Sequence, residues 1–157
     1  MVYALALVVY GLDQWIKWTV RHHMALYAEH PVFPPVLYLD YIRNPGAAFG
    51  ILPNQRFLLV LIALVVIAFV VYVQRKLKGR WFPQIGLGLV LGGAIGNLSD
   101  RLFFGWVTDY VYFKIINFPV FNLADVCIDA GVVILLLYTL LKDRAQTKPE
   151  HDKDVAQ

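Results

Sequence analysis

Hydrophobic runs, rather than alternation, dominate the chain. Residues 57–73, FLLVLIALVVIAFVVYV, carry no charge and are bounded by Arg56 on one side and Arg75-Lys76 on the other. Roughly 20 apolar residues of helix cross the hydrocarbon core of a bilayer, so this run predicts a transmembrane helix. A second uncharged run, 81–99, WFPQIGLGLVLGGAIGNLS, lies between Arg80 and Asp100 and predicts another span. Glycine dilutes its hydropathy, and Gly88, Gly92 and Gly96 recur every fourth residue. That small-xxx-small spacing lets a neighbouring backbone approach closely within lipid. The opening MVYALALVVYGL has no Lys or Arg ahead of it and no clear small-residue cleavage site, so an uncleaved first span is expected over about 1–20. Residues 124–141 make a fourth span with Asp129 inside it, and the polar segment 142–157 is expected to be a disordered tail. Between the spans, VLYLDYIRN at 36–44 and WVTDYVYFKII at 106–116 are rich in β-branched and aromatic residues, and the first runs into the turn signal Pro45-Gly46. They predict strands that pair in one small sheet at the membrane surface.

Composition agrees. With 59% hydrophobic and 16% charged residues, the chain is too apolar for a soluble domain. Four spans use about half the chain and leave only short connections. The fold class expected is membrane all-α, a four-transmembrane-helix bundle with a small extracytoplasmic β-containing segment, forming one domain over 1–157. The lone Cys127 excludes an internal disulfide and C-x-x-C chemistry. The net charge of +3 is clustered: Arg75, Lys76, Lys78 and Arg80 crowd the link between the second and third spans, and Lys142, Arg144, Lys148 and Lys153 follow the fourth. Basic residues of this kind mark the cytoplasmic side, which places both termini inside and segments 21–56 and 100–125 outside. Arg21, Arg43, Arg56, Arg101 and Lys114 fall outside, so the asymmetry is one of local density. It reports topology rather than nucleic-acid binding.

An ionisable group in or beside a span needs a partner, a wet cavity or a function. Asp13 and Lys17 stand four apart on one face of the first helix, the spacing of a structural ion pair, expected near the outer interface. Asp100 and Arg101 close the third span, as an interfacial anchor or as part of a site. Asp109 and Asp125 map to the same membrane depth. Two carboxylates sharing a partly dry site do not both ionise readily, so one can act as an acid while the other activates water. Solvation, or pairing with Arg101 or Lys114, accounts for them as well, and spacing alone does not decide. His22, His23 and His30 lack a metal-ligand spacing. Cys127 has no histidine near it in sequence and reads as a packing residue. No G-x-S-x-G, H-E-x-x-H or P-loop pattern occurs.

Five segments taken together, DQWIK at 13–17, RNPGAAFGIL at 43–52, GGAIGNLSDR at 92–101, GWVTDY at 105–110 and FPVFNLAD at 118–125, resemble the lipoprotein signal peptidases (signal peptidase II) in order and spacing. The resemblance implies an intramembrane aspartic endopeptidase of the bacterial cell (inner) membrane, with four helices and its active site on the extracytoplasmic side. It would remove signal peptides from prolipoproteins by cutting just before a diacylglyceryl-modified cysteine in the lipobox. Asp109 and Asp125 look like the catalytic pair. Asp100 looks structural, and Asn44, Asn97, Arg101 and Asn122 look like groups that line the site or hold substrate backbone. Asp13 and Lys17 match the first-helix motif, and Gly46, Ala47 and Ala48 are small enough to let a peptide pass. No cofactor and no metal are implied. The implied partners are the diacylglyceryl-prolipoprotein substrate and membrane lipid, with no nucleic acid, and the protein is expected to be a monomer. The GGAIG ridge and apolar helix faces are expected to take the acyl chains and the signal helix. Asp129, one turn beyond Asp125, is not where the family pattern leads one to expect an acid. It is read as accessory, within reach of the pair or of Lys17 if it points inward. The rival expectations are a small four-span transporter or proton-conducting protein using Asp13, Lys17, Asp125 and Asp129, and a membrane chaperone that binds signal helices without cutting them.

Overall fold

A computed structural model describes residues 1–47 and 51–146; segment 48–50, with the expected small residue Ala48, and segment 147–157 lie outside the described residues. The elements in order are α1 (Val2–His23), β1 (Glu29–Phe33), β2 (Leu37–Asn44), α2 (Arg56–Lys76), α3 (Trp81–Phe103), β3 (Val107–Phe113) and α4 (Leu123–Gln146). Among the described residues three helices, α2, α3 and α4 over Leu123–Lys142, are long and apolar enough to cross a membrane. The expected first span is a helix of 22 residues, but Asp13, Gln14 and Lys17 interrupt its apolar run, so length and composition alone do not make it a span. α3 runs four residues past the expected Ser99 and takes Asp100 and Arg101 into its last turn. α4 continues to Gln146, past the polar boundary at Lys142.

Glycine places α3 at the centre. The most apolar stretch of α3 is 67% buried within the protein, against 11% for those of α2 and α4. A methyl group added at Gly92 would stand 2.7 Å from the Ala6 carbonyl oxygen of α1, and one at Gly86 would stand 2.8 Å from the Gly131 carbonyl oxygen of α4. These distances show backbones in near contact, which only a missing side chain permits. The expectation that this ridge receives acyl chains is therefore corrected: its glycines are covered by α1 and α4. The apolar side chains left open lie instead on the outer faces of α1, α2 and α4, among them Leu7, Val8 and Trp15, then Phe57, Val65 and Phe69, and Leu136, Leu137 and Leu140. In water such a surface would be a liability, whereas in lipid it needs no cover. Val2, Ala6, Val70, Leu87, Val90 and Leu91 form the core at the opposite end of the bundle from the sheet.

The two expected strands pair antiparallel as β2 and β3, with Ile42 opposite Asp109 and Asn44 opposite Val107. The edge strand β1 was not expected, because His30 and Pro31 interrupt its pattern; proline is tolerated at such an edge. A bulge at Asp40-Tyr41 re-aims β2, and Tyr41 packs with Tyr110 and Val20 against the end of α1. Val107, Thr108, Asp109 and Tyr110 are all buried, so β3 is covered on both faces. Val107 and Asp109 turn one way, into a cleft, while Thr108 meets Arg21 of α1 at 3.1 Å.

Candidate active site

After β3 a single 3-10 turn, Lys114–Ile116, and Asn117 in the left-handed region (φ 49°) reverse the chain. Phe121 then bridges back to Val111, with backbone bonds of 2.8 and 3.0 Å. This return lays Asn122 under Asp109. The tetrad Asn122-Leu123-Ala124-Asp125 starts α4 as a reciprocal cap: the Asn122 side-chain oxygen accepts from the Asp125 N–H at 3.0 Å, and the Asp125 carboxylate accepts from the Asn122 N–H at 3.1 Å. One local motif thus begins the helix and fixes one of the two acids. An N-x-x-D pattern ahead of an apolar run is the sequence signal of such a helix start.

Asn122 also joins the second acid. Its amide nitrogen donates to Asp109 at 2.6 Å and lies 3.2 Å from the Asn97 side-chain oxygen. Asn97 in turn donates to Asp125 at 2.7 Å. The other Asp109 oxygen accepts from the Asn44 amide at 2.9 Å, and the Asn44 oxygen closes a tight turn onto the Gly46 N–H at 2.9 Å. Asp109 and Asp125 are thereby brought to one site by three asparagines from β2, α3 and the head of α4. Burial, and then the neighbouring charge of Asp125, hold the Asp109 carboxyl up at about 7. Neither alternative pairing occurs: Lys114 binds Glu29 at the sheet's outer edge, and the Arg101 guanidinium donates to the carbonyls of Gly46, at 3.0 Å, and Asn97, at 3.3 Å.

Behind this site lies a closed ionic core. Lys17 and Asp13 pair at 2.9 Å with no solvent exposure, inside the bundle rather than at its interface. The Lys17 ammonium also donates to the Asn97 oxygen at 2.8 Å and stands 3.5 Å from Asp100. With that oxygen occupied by Lys17 and Asn122, the Asn97 amide can only turn its N–H groups to Asp125. Asp100 accepts from the Thr108 N–H at 2.9 Å, tying α3 to β3, and Asp13 accepts from the Ala124 N–H at 3.1 Å, tying α1 to α4. Sequence reasoning missed Gln14, which bridges Asp13, Asp100 and the Gly96 carbonyl, and Arg21, 3.5 Å from Asp100. Only their helical spacing from Lys17 could have pointed to them. Asp129 bonds neither to the pair nor to Lys17; it lies on the wall of the cleft, exposed.

That cleft, about 830 Å³, is headed by Asn44, Arg101, Asp109 and Asp125 and runs down between α2 and α4 with α3 as its back wall. Leu59, Ile62 and Val66 line one side and Ile128, Ala130 and Val133 the other. A polar head on an apolar trough at the depth of the helices suits a ligand with one polar reacting centre and a long hydrocarbon or apolar helical body.

Comparison with known proteins identifies the family. The family described as Signal peptidase (SPase) II matches residues 5–141. A lipoprotein signal peptidase of Halothermothrix orenii is 44% identical over 138 residues, covering 88% of this chain and 94% of that protein. One of Halalkalibacterium halodurans is 45% identical over 151 residues, covering 94% and 96%. Among solved structures, a bacterial membrane enzyme determined by the in meso method at 2.3 Å superposes with a TM-score of 0.84 at 30% identity, covering 97% of this chain and 94% of that one. The chain belongs to the signal peptidase II family.

Proposed function

We propose that this membrane aspartic endopeptidase removes signal peptides from prolipoproteins with Asp109 and Asp125 as its catalytic pair. The observation that carries the proposal is the pair's setting: two carboxylates fixed by shared asparagines at the polar head of an apolar trough. With Asp109 holding its proton up to about pH 7, the pair carries one proton near neutrality. Asp125 takes a proton from water as the oxygen attacks the carbonyl carbon, and Asp109 protonates the carbonyl oxygen. The resulting diol collapses as its hydroxyl proton returns to Asp109 and the Asp125 proton passes to the leaving amine. Water supplies the nucleophile and no covalent intermediate forms.

The bond cut is the one before a diacylglyceryl-modified cysteine. The acyl chains and the signal helix stay in lipid while the trough between α2 and α4 admits the scissile amide from the side. In this reading α1 completes a four-span bundle, its polar residues turned inward, with both termini cytoplasmic and the sheet and Asp pair outside. The charge-path alternative loses support, because Asp13 and Lys17 have no exposure and are bonded to each other and to fixed neighbours. The test is cleavage of a lipidated prolipoprotein by the purified chain in detergent. Asp109→Asn and Asp125→Asn should each lower turnover by at least ~100-fold. Undiminished turnover in either variant overturns the assignment.

A further inference from the structure

Asp129 is an acid that the catalytic pair does not use. It lies four residues beyond Asp125 on α4, on the wall of the cleft, and no hydrogen bond or ion pair joins it to any other described residue. Its neighbours on that wall, Ile128, Ala130 and Val133, and those facing it from α2, Ile62, Ala63 and Val66, are apolar. An ionisable side chain at span depth, solvated by nothing in the protein and facing a ligand trough, calls for a group that the ligand supplies.

We infer that Asp129 is a specificity-determining residue that accepts a hydrogen bond from a hydroxyl-bearing side chain two residues before the cleaved bond. This rests on the assignment of Asp109 and Asp125 as the site of cleavage. Four residues of helix advance about 6 Å, and an extended peptide advances about 3.3 Å per residue, so Asp129 stands about two substrate residues from Asp125. The direction follows from the apolar signal segment, which must remain in lipid, so residues before the cut run deeper along α4, past Asp129. A carboxyl oxygen accepts a hydrogen bond whether charged or neutral, and a serine or threonine hydroxyl is small enough to bring its donor there. An alanine at that place leaves the acid facing hydrocarbon alone, which disfavours the substrate.

The test uses two lipidated peptides identical except for Ser or Ala at the second residue before the cut, with the full chain purified in detergent. The wild type should favour Ser over Ala by about tenfold in kcat/KM. Asp129→Leu, and Asp129→Ala, which adds no bulk, should bring that ratio to about one. Asp129→Asn, whose side-chain oxygen still accepts, should keep most of it. A ratio cancels any general loss of activity, and a merely structural role would change both peptides alike. A ratio of about one in the wild type, or an undiminished ratio in both Leu and Ala variants, overturns the inference. Cleavage of neither peptide by the wild type, or cleavage of both by Asp125→Asn, instead overturns the catalytic assignment beneath it.

Discussion

Replacing Asp109 by asparagine should abolish cleavage and yet, above neutrality, make the protein more stable. The carboxyl releases its proton near 3.8 when free in water but holds it to about 7 in the folded protein, chiefly because it is buried. Between those values the folded state binds more protons than the unfolded one, so stability falls as pH rises. An interval from 3.8 to about 7, at about 1.4 kcal/mol per pH unit, is about 4 kcal/mol. Asparagine escapes this penalty at a different expense. Both Asp109 oxygens accept from amides, those of Asn44 and Asn122, and an NH₂ group placed against either one loses a hydrogen bond. That costs about 1–2 kcal/mol at every pH. Asp109→Asn should therefore be the less stable chain at pH 4, by about 1–2 kcal/mol, and the more stable at pH 8.5, by about 2 kcal/mol. Dodecyl sulfate titration of both chains in mild detergent, followed by tryptophan fluorescence, reads the crossover. Parallel stability curves across this range would instead mean that Asp109 titrates alike folded and unfolded.

The rate should also depend on pH: kcat/KM on a lipidated substrate falls above about pH 7 as the pair loses its shared proton, and falls again in acid when both carboxyls are protonated, whereas a rate still climbing at pH 9 contradicts this. Lys17→Met leaves Asp13 and Asp100 buried without their ammonium and should cost about 3–5 kcal/mol by the same titration; a loss under about 1 kcal/mol would mean that the ionic core is not structural. Gly92→Ala puts a methyl 2.7 Å from the Ala6 oxygen and the Val9 Cβ and should destabilise by about 1–3 kcal/mol. Gly11→Ala, where an added methyl meets nothing within 4 Å, should instead stabilise α1 by about 0.5–1 kcal/mol; equal effects at the two glycines would contradict the close packing of α1 on α3.

What the sequence made legible is what local pattern determines. The uncharged runs around Leu61 and Val90 gave helices within a few residues, and the β-branched stretches around Tyr38 and Val111 gave two strands that do pair. Less legible was everything set by partners distant in sequence. That Asp13 and Lys17 sit wholly inside the bundle depends on Asn97 and Asp100, 80 or more residues away, which supply the bonds that make burial tolerable. β1 escaped notice because its proline and histidine suit an edge that exists only once β2 is paired. The glycine ridge was visible, but whether it faced a substrate or a neighbouring helix depended on where α1 and α4 dock. The bonds that draw Asp109 and Asp125 together run through Asn122, whose cap of α4 was encoded in four consecutive residues; its second bond, to Asp109, depends on the turn after β3.

In the proposed mechanism Asp109 and Asp125 act together on one peptide bond held at the head of the trough. The most direct measurement is a structure of the full chain with a lipidated peptide in which a tetrahedral hydroxyl-bearing carbon replaces the scissile carbonyl. This hydroxyl should lie within about 2.6–3.2 Å of an oxygen of each carboxyl, with the apolar body of the ligand between α2 and α4. A hydroxyl bound to only one of the two, or a ligand seated away from that trough, would contradict it.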